Sequence, residues 1–553
     1  MGYEERTGEQ GMMSFKGLDI SMSELMIEAG KSPDLLNVDL HPIGSLKDRS
    51  GFEVKSTVGT TGLGMLLHQA RSDLDVELLY AHRGGGLFRA NSISSAWVAT
   101  TALISNTRRA NLINSYYNGS SCVLICDGEN KPQIATMDPT IADDVIDWPA
   151  GVYGDSNPGT GTPGYPAVWT TGVWPRFMAM VNMGLGADAH RSMAWGFSDD
   201  KYRVDYSELG VATNYLEQDV DAAITEAQPE VDGGSFFVGR GDHDDIVDIV
   251  GMFGYMVVFK KKRIYILQGD PGDANFGVTH VFPVGALSRR SIIRFGNDIA
   301  FWSDSGPRVL SSVQEHGDLQ ERNIGREVQG VIDSISSGRH DEIVCINDLD
   351  NNRLMWFAPT NGASSNNKAL VFYYDQPRWT VWDGSITEMT DVIRIGRDIG
   401  ADQHIYGLGY DGVVSELAVG NLDGEEVIES YYYTHWFNFG TITDGARQMW
   451  LDILYGDNGD AGLTIEYQKN LVGRLRETEP PMKSYGADGF RWDDDNAAWD
   501  DEDIAWDETS KAYNRLPIPE LSNLFRIKFT GSGDGRFEIL GYRIESRQKG
   551  SRV

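Results

Sequence analysis

Short apolar-aromatic runs alternate with tight polar turns along most of this chain, and residues 246–313 show the pattern most plainly. There Ile246-Val-Asp-Ile-Val, Gly254-Tyr-Met-Val-Val-Phe and Ile264-Tyr-Ile-Leu-Gln are separated by Gly-containing or Lys260-Lys-Lys turns. Ser291-Ile-Ile-Arg-Phe and Ile299-Ala-Phe-Trp-Ser continue the series. Runs of this length between turn residues predict an antiparallel meander. The same texture extends over about 53–428. Asn or Asp precedes Gly at Asn118, Asp127, Asp232, Asn361, Asp383 and Asp411, dipeptides that supply the positive φ of hairpin turns. Arg83-Gly-Gly-Gly86 also reads as a hairpin turn. The spacing follows no strict repeat period. Meanders of three or four strands fit a degenerate propeller better than a sandwich with long insertions. The number of blades is not legible.

Two stretches break the pattern. Residues 151–166 form a Gly/Pro-rich excursion, and 214–230 carries Leu216, Val220, Ala223 and Ile224 at helical spacing. Past residue 430, Gln448-Met-Trp-Leu-Asp-Ile-Leu-Tyr and Leu463-Thr-Ile-Glu-Tyr read as strands. Phe525, Ile527 and Phe529 alternate with Arg526 and Lys528, which marks one buried and one wet face. The expected fold is therefore mainly β. An N-terminal extended arm (1–52) leads into a degenerate β-propeller (53–430, with insertions near 151–166 and 214–230), followed by a C-terminal β-sandwich (431–553). A short helix is expected near 23–29 in the arm, with Ser21 or Ser23 as its cap. Phe15, Leu18, Leu35, Leu36 and Val38 would anchor the arm on the propeller or on a neighbouring molecule.

Composition narrows the function classes. Net charge is −33, from 81 acidic against 48 basic residues, so phosphate clamping and groove reading are disfavoured. The excess serves solubility and equally suits the wall of a channel through which DNA passes without sticking. No apolar run is long enough to span a membrane as a helix, and residues 1–6 lack the pattern of a signal peptide. Three cysteines make no disulfide framework. Cys122 and Cys126 share a strand face about 13 Å apart and read as buried thiols, which fits folding in a reducing cytoplasm.

The search for chemistry yields little. Trp492, Trp499 and Trp506 recur every seven residues, each followed by acids. Indoles docked on the sandwich with wet carboxylates are the plainest reading; calcium held by Asp493, Asp495, Asp501 and Asp503 and a contact with a partner are its rivals. Gly241-Asp-His-Asp-Asp245 reads as a turn before a strand, and lone His243 has no second ligand at useful spacing. No Gly-x-Ser-x-Gly elbow and no nucleotide loop occurs. No catalytic, cofactor or metal site is assigned, and a non-enzymatic role is expected. Arg49, Arg289, Arg290 and Arg294 are basic islands in an acidic chain. They serve either ion pairs within the fold or docking onto the acidic surface of neighbouring subunits.

Two patterns resemble a known family. The run from Ile246 to Val313 resembles the central signature of the β-propeller tail nozzle, tail hub or packaged-DNA stabilization proteins of short-tailed bacteriophages. The arm adds F-x-G-L-D-x-S (Phe15–Ser21), N-V-D (Asn37–Asp39) and G-S-L-x-x-R-x-G-F (Gly44–Phe52), which is similar to the opening of such virion proteins. The resemblance implies a structural tail protein of the virion, folded in the host cytoplasm before assembly. It would form a homo-oligomeric ring of six copies below the portal–adaptor stack and beside tail fibres or spikes. The ring would extend the channel, retain packaged duplex DNA without specific binding and conduct it during ejection. Phe15, Leu18, Arg49, Arg289, Arg290, Trp492, Trp499 and Trp506 are the candidate interaction residues. A tail-tip receptor-binding protein and a propeller glycosidase or lyase acting on host surface polysaccharide are the alternatives.

Overall fold

The computed structural model describes residues 7–9, 13–59, 61–72, 77–117, 120–137, 145–147, 173–182, 190–209, 215, 233–252, 254–313, 318–336, 338–396, 404–438, 446–456, 462–471, 474–477, 511–522, 524–532 and 536–548. The excursion at 151–166, the helical pattern at 214–230 (Tyr215 apart) and the segment from Trp492 to Trp506 lie outside them.

Six four-stranded antiparallel meanders follow one another along the chain. Their innermost strands are Gly64–Arg71, Asn111–Tyr117, Phe177–Asn182, Ile246–Met252, Ile293–Phe295 and Val344–Asp348, and they define blades 1 to 6. A seventh blade contains Met389–Ile395, His404–Gly409 and Val413–Leu417, and its fourth strand is Phe52–Thr57, from the other end of the propeller sequence. Innermost strands of successive blades pack side by side except between blades 4 and 5, which meet through an apolar cluster with Phe259 against Phe301, and that of blade 7 packs on that of blade 1. The protein is a seven-bladed propeller closed by one borrowed strand. The motif at 246–313 corresponds to blade 4 and most of blade 5.

The alternating pattern worked because each blade is buried on both faces by its neighbours. In blade 6, all residues of Arg353–Ala358 and Arg378–Trp382 are buried. Turn chemistry was less uniform. Tight two-residue turns join Arg83 to Gly86, Phe295 to Asp298 and Ser303 to Gly306. Asp411-Gly412 and Asp127-Gly128 do connect adjacent strands. Asp383-Gly384, in contrast, is the exit from blade 6 rather than a hairpin turn. Cys122 and Cys126 lie buried on one strand in one apolar cluster, and burial pushes the Cys122 thiol up to about 12.

Two sheets pack face to face beyond the propeller. One orders Lys511–Ser522, Ala446–Gly456, Glu538–Gln548, Leu46–Asp48 and Val38–Asp39; the other orders Leu35–Leu36, Ser430–Tyr433, Leu524–Ser532, Gly462–Lys469 and Arg476–Glu477. Phe525, Ile527 and Phe529 are fully buried between them, as their alternation implied. The arm therefore gives strands to both sandwich sheets, and the strand that follows it, Phe52–Thr57, closes the propeller. One core cluster runs without interruption from Phe15, Leu18 and Leu35 through blade 6 to the sandwich. The expected helix near 23–29 is instead a succession of turns, with Met26 N–H donating to the Ser23 carbonyl. Met22, Leu25 and Met26 are exposed there and Ile27 alone is buried, too narrow an apolar face to hold a helix.

Candidate functional site: an arm clasp and an axial funnel

The arm motif builds a clasp between propeller and sandwich. Phe15 is 1% exposed and lies edge-on to Tyr432, with ring centroids 5.1 Å apart. Gly17 has φ +93°, and a Cβ there would sit 2.7 Å from the Trp379 carbonyl oxygen of blade 6. Gly51 is tighter still: a Cβ would lie 1.7 Å from the Leu422 carbonyl oxygen. Both motif glycines are therefore required by close approach of backbone. Asn37, at φ 54°, donates to Asp383 Oδ1 at 2.6 Å and to the Glu429 carbonyl at 2.9 Å.

Two arginines anchor this clasp. Arg49 forms a paired contact with Asp423, Nη1 to Oδ1 at 2.7 Å and Nη2 to Oδ2 at 2.6 Å. It also donates to Asn37 Oδ1 and to the Asp383 and Ser50 carbonyls. Its side chain is 1% exposed, so Arg49 is not a surface island and has no face left for a neighbouring subunit. Arg353 joins Asp39 at 2.8 Å and Asp348 at 2.7 Å, while Tyr373 donates to Asp39. Burial opposes the charge on Asp39, yet Arg353, Lys47, the Tyr373 hydroxyl and the His41 N–H together outweigh it and hold the carboxyl below its usual range. The Trp382 ring lies beneath both guanidinium groups, 5.9 Å from Arg49 and 4.8 Å from Arg353. Phe15 and Leu18 likewise belong to the core of this clasp instead of an outer contact surface. Asp48 is the weak point. Burial pushes its carboxyl up to about 7, with Ser430 and the Phe537 N–H as its hydrogen-bond donors.

The second assembly lies on the propeller axis. A cavity of about 490 Å³ opens where the innermost strands begin, and all seven blades or the segments leading into them line it. Arg108, Arg109, Arg176, Lys261, Arg289 and Arg290 face it, against Asp245, Asp341 and Glu342. Arg289 and Arg290, singled out from the sequence, are thus brought together with three arginines that sequence reasoning missed. Arg289 pairs with Asp248 at 3.0 Å and lies over Phe177 and Trp195. Arg290 donates to the Thr390 carbonyl and approaches Glu342 at 3.7 Å and Asp391 at 3.9 Å. Arg294 lies apart from the cavity lining, exposed, and donates to the Gly251 carbonyl. Burial pushes Asp391 up to about 6 against the pull of Arg109. Arg176 is held below its usual range by burial and by the like charges of Arg108, Arg289 and Arg109. The missed signal was positional. Arg108-Arg109, Arg176 and Arg289-Arg290 each stand just before the innermost strand of a blade.

The turn at 241–245 is structural. Asp242 accepts from Lys260 at 2.8 Å and from Tyr265 at 2.9 Å, and Asp245 pairs with Lys261 and Lys201. No helix among the described residues is long and apolar enough to cross a membrane.

No family model matches the chain, and no curated protein matches it. Among solved structures it is similar to BBS1N, crystallised in complex with ARL6DN, at 10% identity over 68% of this chain and 100% of that one, with TM-score 0.39. BamB from Moraxella catarrhalis matches at 10% identity over 75% of this chain and 100% of its own, TM-score 0.35. The AfRom2 CNH domain matches at 9% identity over 66% and 99%, TM-score 0.37.

Proposed function

We propose that this protein is a structural, non-enzymatic component of a bacteriophage tail. In this reading it forms a nozzle or hub ring that extends the DNA channel below the portal and adaptor. The observation that supports it most is the fate of the arm pattern. Phe15, Gly17, Asn37, Arg49 and Gly51 all have a defined place in the clasp, so the pattern that resembles nozzle-type proteins has an architectural role here. A propeller locked to a second β domain by its own arm is a stiff unit, suited to a ring that bears the pressure of packaged DNA. Ring closure would come from heterologous contacts repeated around the axis, six copies in all. The acidic balance of the chain, at −33, gives the channel wall a repulsive composition that retains DNA without gripping it.

Electron microscopy of the particle tests this reading. The expected result is a six-membered ring in contact with an adaptor ring, with a lumen wide enough for duplex DNA. One or three copies at a fibre tip would overturn it in favour of receptor binding. Turnover of host envelope glycans by the purified protein would overturn it in favour of a glycosidase or lyase.

A further inference from the structure

The axial cavity opposes the electrostatics of the rest of the protein. In a chain of net charge −33, six cationic side chains converge on a space of about 490 Å³ with three acids at its margin. Several of these cations are incompletely used inside the fold. Neither Arg109 nor Arg176 has an ion pair within 4 Å among the described residues. Arg109 reaches the Thr390 carbonyl only at 3.4 Å, and its Nε is buried with no hydrogen-bond partner. A buried donor left unmade is costly, and guanidinium groups crowded together repel one another. The Arg176 guanidinium lies over the Phe177 ring, 4.9 Å from its centroid, with its nitrogens still available. The contrast with Arg49, whose every edge is satisfied, is plain.

We propose that the axial funnel is a binding site for a small oxyanion, a carboxylate or phosphate group carried on a compact body. Arg109 and Arg176 supply the donors and Phe177 offers an apolar wall, while Arg108, paired with Glu129 at 3.1 Å, and Arg290, near Glu342 and Asp391, stand beside them. Planar guanidinium forks match carboxylate and phosphate oxygens in pairs, which is why clusters of arginine recognise them. Long polyanions are excluded on two grounds. The cavity is the size of a small-molecule site, and Asp245, Asp341 and Glu342 would repel a phosphate backbone running across its mouth. The site lies on the axis of one propeller and is independent of whether the chain forms a ring.

The test is titration of the full-length protein with citrate and, separately, inorganic phosphate at constant ionic strength, read by calorimetry and thermal melting. Saturable binding of at least one is expected, and the tighter of the two identifies the oxyanion. Arg176→Gln, at an exposed position, should weaken binding about tenfold, as expected for one lost charge-assisted hydrogen bond. Arg109→Gln should weaken it at least as much. Should Arg109→Gln fail to fold, Arg108→Gln/Arg176→Gln replaces it, since both positions are exposed. Absence of saturable binding to either anion, an equal effect of sodium chloride, or unchanged affinity in the Arg176 variant would each overturn the proposal.

Discussion

The clasp and the funnel are both built around arginine, and they use it in opposite ways. At the clasp, Arg49 and Arg353 are 1% exposed and stack on Trp382; Arg49 meets Asp423 and three further oxygens, and Arg353 meets Asp39 and Asp348. In the funnel, Arg176 is exposed, and neither it nor Arg109 has an ion pair within 4 Å among the described residues. A buried charge is costly unless its hydrogen bonds are nearly complete, because short contacts must offset its desolvation. A half-solvated charge tolerates incomplete pairing because water screens it, and it keeps capacity for something else. The first arrangement holds domains together, and the second leaves chemistry open.

The largest effect that would break this comparison is at the clasp. Arg49→Ala strands Asp423 in a dry site and should cost about 3–5 kcal/mol, measured by denaturant unfolding. A loss below about 1 kcal/mol would mean that the clasp does not bear on stability. Phe15→Ala follows closely, with an expected loss of about 3–4 kcal/mol for a fully buried ring. Asp48→Asn goes the other way. The folded protein holds the Asp48 proton to about pH 7, against 3.8 for an ordinary Asp, so it binds more protons than the unfolded chain across that window. Stability contributed by this group is therefore lost as pH rises from about 4 to 7. The amide should raise stability at pH 8 by about 2 kcal/mol and flatten the pH dependence in that range. Smallest of all is Arg176→Gln, which should change stability by less than about 0.5 kcal/mol, the ordinary scale for an exposed position. That near-neutral result beside a collapse at Arg49 would draw the contrast most sharply.

Strands were legible wherever the signal was local. The run from Ile246 to Val313 needed only its own alternation to be read as a meander, and Phe525, Ile527 and Phe529 only their period of two. Arg49 was not legible because its carboxylate partner lies 374 residues away, so a lone Arg between Asp48 and Ser50 looked like surface. Asp383-Gly384 was misread for a related reason. Its dipeptide suggests a turn, but its backbone and carboxylate are held by Arg49 and Asn37 from the arm. The funnel was half visible. Arg289 and Arg290 stood out as a pair, while Arg108, Arg109 and Arg176 join them only once seven blades are arranged around one axis. Blade number itself was hidden because the seventh blade is split between residues 52–57 and 389–417.

That split blade has a consequence for how the molecule comes into being. Residues 52–57 leave the ribosome before any of the seven innermost strands, yet their partner Val413–Leu417 is made more than 350 residues later. Leu35–Leu36 and Leu46–Asp48 wait longer still, for Ser430–Tyr433 and Glu538–Gln548. The earliest part of the chain must idle unpaired while blades 1 to 6 stack beside it, and every latch closes at the end. Such long-range pairing makes for slow, late-committing folding. It also makes completion a checkpoint: a chain interrupted before residue 413 cannot close its ring, so assembly surfaces that depend on a closed propeller exist only on finished molecules.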